Sequence, residues 1–445
     1  MVPVESEAMK TRTGAVRADP RAYAIALLCL LLSVALLSCA TGPSVWDKPR
    51  SVPNRITVAV QEAPEEQLPL LISFIRENSA DEAEMFRYAH DWVAQNVAYD
   101  VEAYRGGEQA VTDAYGVIAY GKSVCAGYAE VLKLLCDELG IRSEMVSGYA
   151  RGASFDPFTE PQRDPEDTNH RWNAVYLEGR WHLVDVTWNA GSVGRDGFSF
   201  NYNLNYYKID PDVFAYTHFP TDPKWQLLDP PLTYSQFIQR PRVRGSAARF
   251  AVENLGDYDR VIRPDSGSYR MVFSSQPETV LRASLRTYDG GSSLREHRLL
   301  QADGNGSHIV DLRFPAEGRY QLSLWAAESG DHADAVSIAR YYFEVAHSEK
   351  ATFPVTYSRF AQNGLSDLFP LTGTLPRGEA VEFSFNSGNR RNYYLYVPDE
   401  GSTPMRRNSQ TGRYEVQAPI RQADHVYLSV KHGKRYYHMV RYQIQ

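Results

Sequence analysis

The sequence predicts an α+β domain followed by two all-β modules. Its 445 residues exceed what one hydrophobic core usually organises, so two or three domains are expected. Helix-period patterns and one hairpin signal precede Pro230-Pro231, whereas short strand-like stretches between Gly, Asp and Asn turns follow it. The 29 Tyr and 7 Trp are typical of strand-rich modules, since aromatic residues are enriched in strands.

The first 40 residues have the pattern of an export signal. Four basic residues between Lys10 and Arg21 precede an apolar run over 22–37, which is shorter than the roughly 20 residues needed to span a bilayer. Leu36-Leu37-Ser38-Cys39 resembles a bacterial lipobox. We therefore predict a lipoprotein-type signal peptide at 1–38, lipidation of Cys39, a linker at 39–54, and an exported lipoprotein anchored to the membrane, facing the periplasm or the cell surface. The alternative is an uncleaved N-terminal anchor helix.

Residues 55–229 are predicted to form the α+β domain. A capping-box pattern of Ser79 and Glu82 begins a helix over 79–97, in which Trp92 is a core residue. A second helix from about Ser123 ends at Gly140, with Cys125 in its first turn. Three strands follow, and a two-residue turn at Glu178-Gly179 makes the last two a hairpin: Ser143–Tyr149, His170–Leu177 and Arg180–Trp188. Gly152 to Thr168 is predicted to be a surface loop.

Two β-sandwich modules are predicted at 232–347 and 351–445. Each has about 100 residues of short strands and glycine-containing turns, which is the usual size of an immunoglobulin-like sandwich.

Charge is distributed unevenly along the chain. Residues 51–230 hold 14 basic and 28 acidic side chains, a net charge of −14, whereas residues 351–445 hold 12 basic and 7 acidic ones, a net charge of +5. The basic module indicates either a solvated surface or contact with an anionic partner such as a glycan or a lipid head group. The pattern does not favour nucleic acid as a partner.

Three side chains offer the chemistry of thiol-dependent acyl transfer. Cys125 at a helix N-terminus favours the thiolate, and the two-residue loop places His170 and Asp185 as diagonal neighbours on one face of the hairpin. A base and its orienting acid would then lie near a nucleophile. Taken singly, each residue can equally be structural: a buried thiol, a strand histidine, a polar hairpin residue. No Cys or His pair has metal-ligand spacing, so we predict no metal and no organic cofactor.

A second thiol, Cys136, is not expected to pair with Cys125. Eleven residues along one helix separate the two sulfur-bearing residues by about 16 Å, which is beyond disulfide reach.

Three segments resemble the transglutaminase-like family of papain-like cysteine enzymes: Gly121 to Ala129 around the cysteine, His170-Arg171-Trp172-Asn173-Ala174-Val175, and Gly179 to Trp188 around the aspartate. His218-Phe219-Pro220 and the β-module segments resemble the subgroup related to kyphoscoliosis peptidase. The resemblance implies a papain/transglutaminase-like fold with Cys125 as nucleophile, His170 as general base and acid, and Asp185 as the orienting carboxylate.

Three functions remain open at this point. The first is a cysteine peptidase or amidase acting on a protein or peptide, of which a cell-wall peptide is one option. The second is a protein transglutaminase, which would pass the same acyl group to an amine. The third is a non-catalytic adhesion or scaffold lipoprotein. The second oxyanion donor is also open among Trp92, Tyr115 and Tyr120, each of which can equally be a packing aromatic.

Overall fold

A computed structural model describes residues 48–152, 155–159, 168–194, 196–303, 305–328 and 335–445. The predicted signal peptide, Cys39 and part of the predicted loop after Gly152 lie outside the described residues. No helix within these ranges has both the length and the apolar character required to cross a bilayer. The proposed domain boundaries stay predictions.

Helices dominate the described chain up to Gly140. They are α1 (Asn54–Glu62), α2 (Pro64–Glu77), α3 (Glu82–Asn96), α4 (Val101–Tyr104), α5 (Ala114–Tyr120) and α6 (Cys125–Leu139). Two short strands, β1 (Ala98–Tyr99) and β2 (Lys122–Ser123), pair in parallel and bring the chain after α3 beside the start of α6. Helix α6 ends, as predicted, at Gly140, whose φ of 81° is the left-handed conformation favoured by glycine.

A mainly antiparallel sheet follows, with short helices between its strands. Its elements, in chain order, are β3 (Ser143–Ala150), β4 (His170–Leu177), β5 (Arg180–Val184), α7 (Val186–Ala190), β6 (Gly191–Gly194), β7 (Gly197–Phe200), β8 (Tyr207–Ile209), α8 (Pro211–Phe214), β9 (His218–Pro220), a 3₁₀ turn (Pro223–Gln226) and α9 (Tyr234–Gln239). The five strands β8-β5-β4-β3-β9 form one sheet in that order, and β6-β7 form a separate hairpin.

Helix α6 packs on this sheet and forms the core with α3. Trp92 is 1% exposed and Leu132 and Val175 are fully buried in the same apolar cluster, which confirms the predicted core position of Trp92. The side chain of Asn173 on β4 donates to the carbonyl of Ala129 on α6 at 3.0 Å. Helix and strand are thus fixed to each other by apolar burial and by a buried hydrogen bond.

The predicted start of α3 is wrong by a few residues. Asp81, not Ser79, is the N-cap, because its carboxylate accepts from the Glu84 amide at 2.8 Å. The Glu84 carboxylate in turn accepts from the Ala80 amide at 3.0 Å. Aspartate and serine cap helices about equally well, so the sequence pattern alone could not choose between them.

The predicted strand Arg180–Trp188 is also too long. The ladder with β4 ends at Asn173↔Val184, and Asp185 then caps α7 by accepting from the Trp188 amide at 3.1 Å. The turn at Glu178-Gly179 and its register are as predicted, with φ of 53° and 79° at the two turn residues. The predicted placement of His170 and Asp185 as diagonal neighbours within the hairpin ladder is wrong, because the chain leaves the sheet at Asp185.

Beyond α9 the described chain is almost entirely β. The first group of elements is β10 (Arg242–Val243), a 3₁₀ turn (Gly245–Phe250), β11 (Val261–Ile262), β12 (Ser268–Ser274), β13 (Thr279–Thr287), a 3₁₀ turn (Arg295–His297), β14 (Arg298–Ala302), β15 (Ser307–Arg313), β16 (Gly318–Glu328) and β17 (Val336–Val345). One sheet has the order β10-β17-β16-β13 with β11 on β17, and the other β12-β15-β14. Buried residues of both sheets share one apolar cluster, so the sheets form a sandwich.

The second group repeats this organisation. Its elements are β18 (Val355–Thr356), α10 (Ser358–Gln362), β19 (Leu365–Phe369), β20 (Thr374–Leu375), β21 (Ala380–Ser387), β22 (Tyr393–Val397), β23 (Gly401–Pro404), β24 (Arg406–Arg407), β25 (Tyr414–Pro419), β26 (His425–His432) and β27 (Arg435–Ile444). The sheet orders are β18-β27-β26-β22-β23, with β20 on β27, and β19-β21-β25-β24. An α+β domain followed by two immunoglobulin-like β modules is therefore the fold, as the sequence predicts.

Candidate active site

Cys125 is the first residue of α6 and is half-buried. The hydroxyl of Ser123, on β2, donates to the Val111 carbonyl, and this anchors the chain just before the cysteine. Gly127 allows the first turn of α6 to lie against this strand, because a Cβ there would be 2.1 Å from the Ser123 Oγ. The thiol is therefore held at a helix N-terminus, where the free amides and the helix dipole stabilise a thiolate.

His170 and Asp185 meet at the ends of two neighbouring strands. His170 begins β4, Asp185 directly follows β5, and His170 Nε2 lies 2.7 Å from Asp185 Oδ2. Their side chains are 8% and 0% exposed. Because a carboxylate only accepts, Nε2 carries the proton, and Nδ1 is the ring nitrogen left to serve Cys125, whose thiol pKa His170 lowers. The structure thus brings His170 and Asp185 into direct contact and places Cys125 within electrostatic reach of the His170 ring; the catalytic roles of the three side chains stay predictions.

The electrostatics favour an ion pair between the sulfur and the imidazole. Burial lowers the pKa of His170, but the charge and hydrogen bond of Asp185, with a contribution from Cys125, outweigh burial and raise the pKa to about 10. Burial raises the pKa of the Cys125 thiol, but the hydrogen bond and charge of His170 outweigh this and bring the pKa below its ordinary value. Both shifts therefore favour the pair of thiolate and imidazolium over the pair of neutral thiol and neutral imidazole.

A second histidine contacts the same carboxylate. His218, on β9, places Nε2 3.1 Å from Asp185 Oδ2, and its Nδ1 lies 2.9 Å from the Thr217 hydroxyl. Burial lowers the pKa of His218 to about 4, so its neutral ring donates a hydrogen bond to Asp185. These two imidazoles hold the pKa of Asp185 well below its usual range even though burial opposes this. Sequence reasoning noted His218 only within a subgroup motif and gave it no role.

Aromatic rings surround this chain of polar groups. The His170 ring centroid lies 5.6 Å from that of Trp188 and 6.1 Å from that of Trp172, and the His218 ring stacks on Phe214 at 3.9 Å. Trp172 and Phe214 are almost fully buried. Such walls limit access of water, and a lower local dielectric strengthens the interactions among thiolate, imidazolium and carboxylate.

A buried network of hydrogen bonds connects α7 to α3. Asp91 on α3 accepts from Arg87 Nε at 2.7 Å and from the Tyr202 hydroxyl at 2.6 Å, and its Oδ1 lies 2.8 Å from His90 Nδ1. His90 Nε2 in turn lies 3.0 Å from the side-chain amide of Asn189 on α7. Since α7 is capped by Asp185, this network fixes the helix whose cap orients His170.

Three possible metal-ligating atoms, one each from His170, Asp185 and His218, lie within 4.8 Å of one another. This is close enough for all three to bind a single metal ion. The hydrogen bonds account for this proximity, since the same Oδ2 faces both imidazole nitrogens. A cation would have to replace the protons of both rings. The chemistry that the arrangement supports as it stands is acid and base transfer.

The predicted candidates for the second oxyanion donor differ in environment. The indole N–H of Trp92 is buried and donates to the Thr57 hydroxyl at 3.1 Å, so it is already used. Tyr115 packs against the core, and Tyr120 is 61% exposed. Sequence reasoning missed Tyr99, whose phenol pKa is raised by burial first and by the nearby Cys125 charge second. Its position three residues after α3 carries no signal of proximity to the cysteine.

The two cysteines among the described residues, Cys125 and Cys136, are unpaired, as predicted. Cys136 is fully buried on α6, and burial raises the pKa of its thiol to about 12. Cys125 and Cys136 therefore differ strongly in expected reactivity.

Known proteins resemble this chain over the same region. The sequence model of the transglutaminase-like superfamily matches residues 71–186. Kyphoscoliosis peptidase of Mus musculus is 29% identical over 58% of this chain and 38% of its own length, and Hillarin of Drosophila melanogaster is 27% identical over 47% and 28%. The chain thus covers well under half the length of either relative.

A solved structure described as a TGase is 18% identical and covers 38% of each chain, with a TM-score of 0.22, from which nothing further follows. The superfamily match includes Cys125, His170 and Asp185, the residues that the structure brings together. The chain therefore carries a domain of the transglutaminase-like superfamily, many members of which are cysteine peptidases or acyltransferases.

Proposed function

We propose that this protein is an exported, lipid-anchored cysteine peptidase or amidase with a Cys125-His170-Asp185 triad. The observation that carries the proposal is the buried hydrogen bond between His170 and Asp185 beside the Cys125 thiol, whose pKa the His170 ring lowers. The name of the mouse relative, kyphoscoliosis peptidase, agrees with hydrolysis rather than transfer to an amine.

The proposed reaction begins with attack of the Cys125 thiolate on the carbonyl carbon of a peptide or amide. The amide of Cys125 at the start of α6 stabilises the oxyanion that forms. His170 then donates its Nδ1 proton to the leaving amine as the C–N bond breaks, leaving a thioester on Cys125. Water, deprotonated by the now neutral His170, attacks the thioester and releases the acid and the thiolate.

Asp185 keeps the imidazole in the tautomer that this sequence of proton transfers needs. Its bond to Nε2 leaves Nδ1 free to exchange the proton with the sulfur, and its charge stabilises the imidazolium between the two steps. His218 and the Trp188 amide hold the carboxylate from its other sides.

The anchor and the export signal support the cellular part of the proposal. The lipobox-like Leu36-Leu37-Ser38-Cys39 would tether the enzyme by lipidated Cys39, with a protein or peptide substrate, such as a cell-wall peptide, on the exported side. Metabolic labelling with a fatty-acid analogue tests the tether: label is expected on the natural protein and absent from Cys39→Ala.

A labelled amide substrate library tests the chemistry. The full chain is incubated with peptide amides, with and without a labelled primary amine, and Cys125→Ala is the matched control. Release of free acid without amine, abolished by Cys125→Ala, supports the peptidase. Incorporation of the amine label in place of hydrolysis would assign a transglutaminase instead. No product in either arm, with Cys125 no more reactive than Cys136, would leave a scaffold role and refute the proposal.

A further inference from the structure

The positive charge of the C-terminal β module is concentrated at one end. Segments 388–392, 404–414 and 431–435 contain eight Lys and Arg and no Asp or Glu, whereas the rest of 351–445 has four basic and seven acidic residues. We call these three segments the basic end.

Strand topology brings the three segments together. The antiparallel pairs Tyr393↔Val430 and His432↔Arg435 place the start of β22, the end of β26 and the start of β27 at the same end of the sheet. The Met405 amide donates to the Tyr393 carbonyl at 2.9 Å, and the rings of Tyr393 and Tyr414 lie 4.7 Å apart, so segment 404–414 joins them.

One carboxylate borders this end: Glu415, opposite Arg406 on the neighbouring strand, accepts from the side-chain amide of Asn408 at 3.2 Å. Among the described residues, none of its eight basic side chains forms an ion pair with an acidic one, although Arg377 pairs with Asp424 and Arg441 with Glu296 elsewhere on the module. Like charges gathered without counter-charges repel one another and reduce stability. A ligand that neutralises them would remove this cost.

A cavity opens within the basic end. Its volume is about 380 Å³, and Arg390, Arg391 and Arg407 line it together with Asn392. Tyr394, Pro404 and Met405 supply an apolar side to the same cavity. The Lys431 ammonium lies 5.4 Å from the Tyr394 ring centroid, so a fourth cation borders it.

We propose that the basic end binds an acidic polysaccharide that carries carboxylates on its sugar rings. Guanidinium groups hold planar carboxylates through two parallel hydrogen bonds. The apolar side of the cavity suits the C–H face of a sugar ring, and Asn392 can bond a hydroxyl. Because the cations are spread over three segments, a polymer with regularly spaced charges contacts more of them than a single small anion does.

The same features disfavour two other polyanions. Single-stranded nucleic acid requires aromatic faces on which bases stack, but Tyr393 and Tyr414 are 1% and 5% exposed and the Tyr394 ring is bordered by Lys431. A bilayer surface contacts flat basic faces, whereas three of these arginines line a concavity.

Binding of polygalacturonate oligosaccharides to the full chain in the Cys125→Ala background tests the proposal independently of catalysis. The triple variant Arg390→Gln, Arg391→Gln, Arg407→Gln is expected to weaken binding about tenfold, as the loss of three exposed charge contacts implies. The matched control Arg282→Gln, Arg286→Gln, Arg421→Gln removes the same charge from exposed sites elsewhere and is expected to bind as the parent does. Added salt should weaken the parent's binding through screening.

Four results would overturn the proposal: equal loss in both triples, no loss in either, binding of neutral dextran as tight as that of polygalacturonate, or tighter binding of a single-stranded oligonucleotide or of vesicles rich in anionic lipid. Thermal unfolding of both triples checks that the module stays folded. The double variant Lys434→Gln, Arg435→Gln on the β26–β27 hairpin provides a second measurement, and it should weaken binding in the same direction.

Discussion

Replacing Asp185 by asparagine tests the electrostatic chain of the site most sharply. The carboxylate Oδ2 faces His170 Nε2 at 2.7 Å and His218 Nε2 at 3.1 Å, while Oδ1 accepts from the Trp188 amide at 3.1 Å. All of these neighbours offer protons. In an asparagine side chain one of these two oxygens becomes an NH2 group, which is a donor. Whichever oxygen is replaced, the NH2 group faces at least one neighbour that is also a donor.

The magnitude follows from these contacts. Removing one partner of a buried charged group costs about 3 to 5 kcal/mol of unfolding free energy. If the NH2 group faces His170, Nε2 of the ring has to accept a hydrogen bond, so the ring proton moves to Nδ1. Nδ1 is then no longer available to accept the proton of Cys125. A wrong tautomer in a comparable triad lowers the rate about 10⁴-fold, and we expect a loss of about 10³ to 10⁴ here.

The assay is the rate of Cys125 alkylation by iodoacetamide as a function of pH, read by mass spectrometry. The natural protein should react with an inflection below the ordinary thiol pKa of about 8.5, because His170 stabilises the thiolate. Asp185→Asn should move this inflection upward, since the His170 imidazolium loses its counter-charge. Cys136 serves as the internal control and should stay unmodified while the protein is folded.

An unchanged inflection in Asp185→Asn would refute the reasoning, provided that circular dichroism shows the variant folded. The carboxylate would then have no influence on the sulfur, and its hydrogen bond to His170 would be structural only.

Four further predictions concern the same site. His218→Leu should slow Cys125 alkylation at neutral pH and raise its inflection, whereas His218→Gln, which can still donate to Asp185, should restore most of the rate; equal behaviour of both variants would show that His218 only fills space. The pH dependence of urea unfolding should show that the stability from Asp185, whose folded pKa is depressed, is present above about pH 4 and is lost on acidification, because the unfolded carboxyl has a pKa of about 3.9. His170, whose pKa is raised to about 10, contributes stability below about pH 6.5 that is lost as the pH rises through 10, so the destabilisation caused by His170→Ala should become smaller above that pH. Gly127→Ala should cost about 1 to 3 kcal/mol, measured by denaturant unfolding, since its Cβ would overlap Ser123, and a neutral result would mean that α6 can shift freely.

Local sequence patterns predicted the parts of the site that depend on short-range geometry. Both residues of the turn Glu178-Gly179 have the positive φ that a two-residue hairpin requires, and the β4–β5 register followed from it. Gly140 likewise ended α6 where expected. In these cases neighbouring residues determine the conformation, so the pattern is sufficient.

Contacts between distant segments could not be predicted in this way. His218 reaches Asp185 because β9 pairs with β3 across the sheet, and no periodicity in β9 indicates that pairing. Asp185 was expected within a strand because Val186-Thr187-Trp188 has strand-like composition, yet its own side chain starts a helix. The predicted meeting of His170 and Asp185 was therefore right in outcome, but it arises from a helix cap rather than from a longer hairpin.

Burst kinetics with p-nitrophenyl acetate test the central claim most directly, because an acyl-enzyme on Cys125 is the intermediate that the triad is proposed to form. We expect about one equivalent of p-nitrophenol in the burst, with the acetyl group on Cys125 by peptide mapping, and no burst from Cys125→Ala or His170→Ala. A folded protein that shows no burst, or that carries the acetyl group on another residue, would contradict the assignment of Cys125 as the nucleophile.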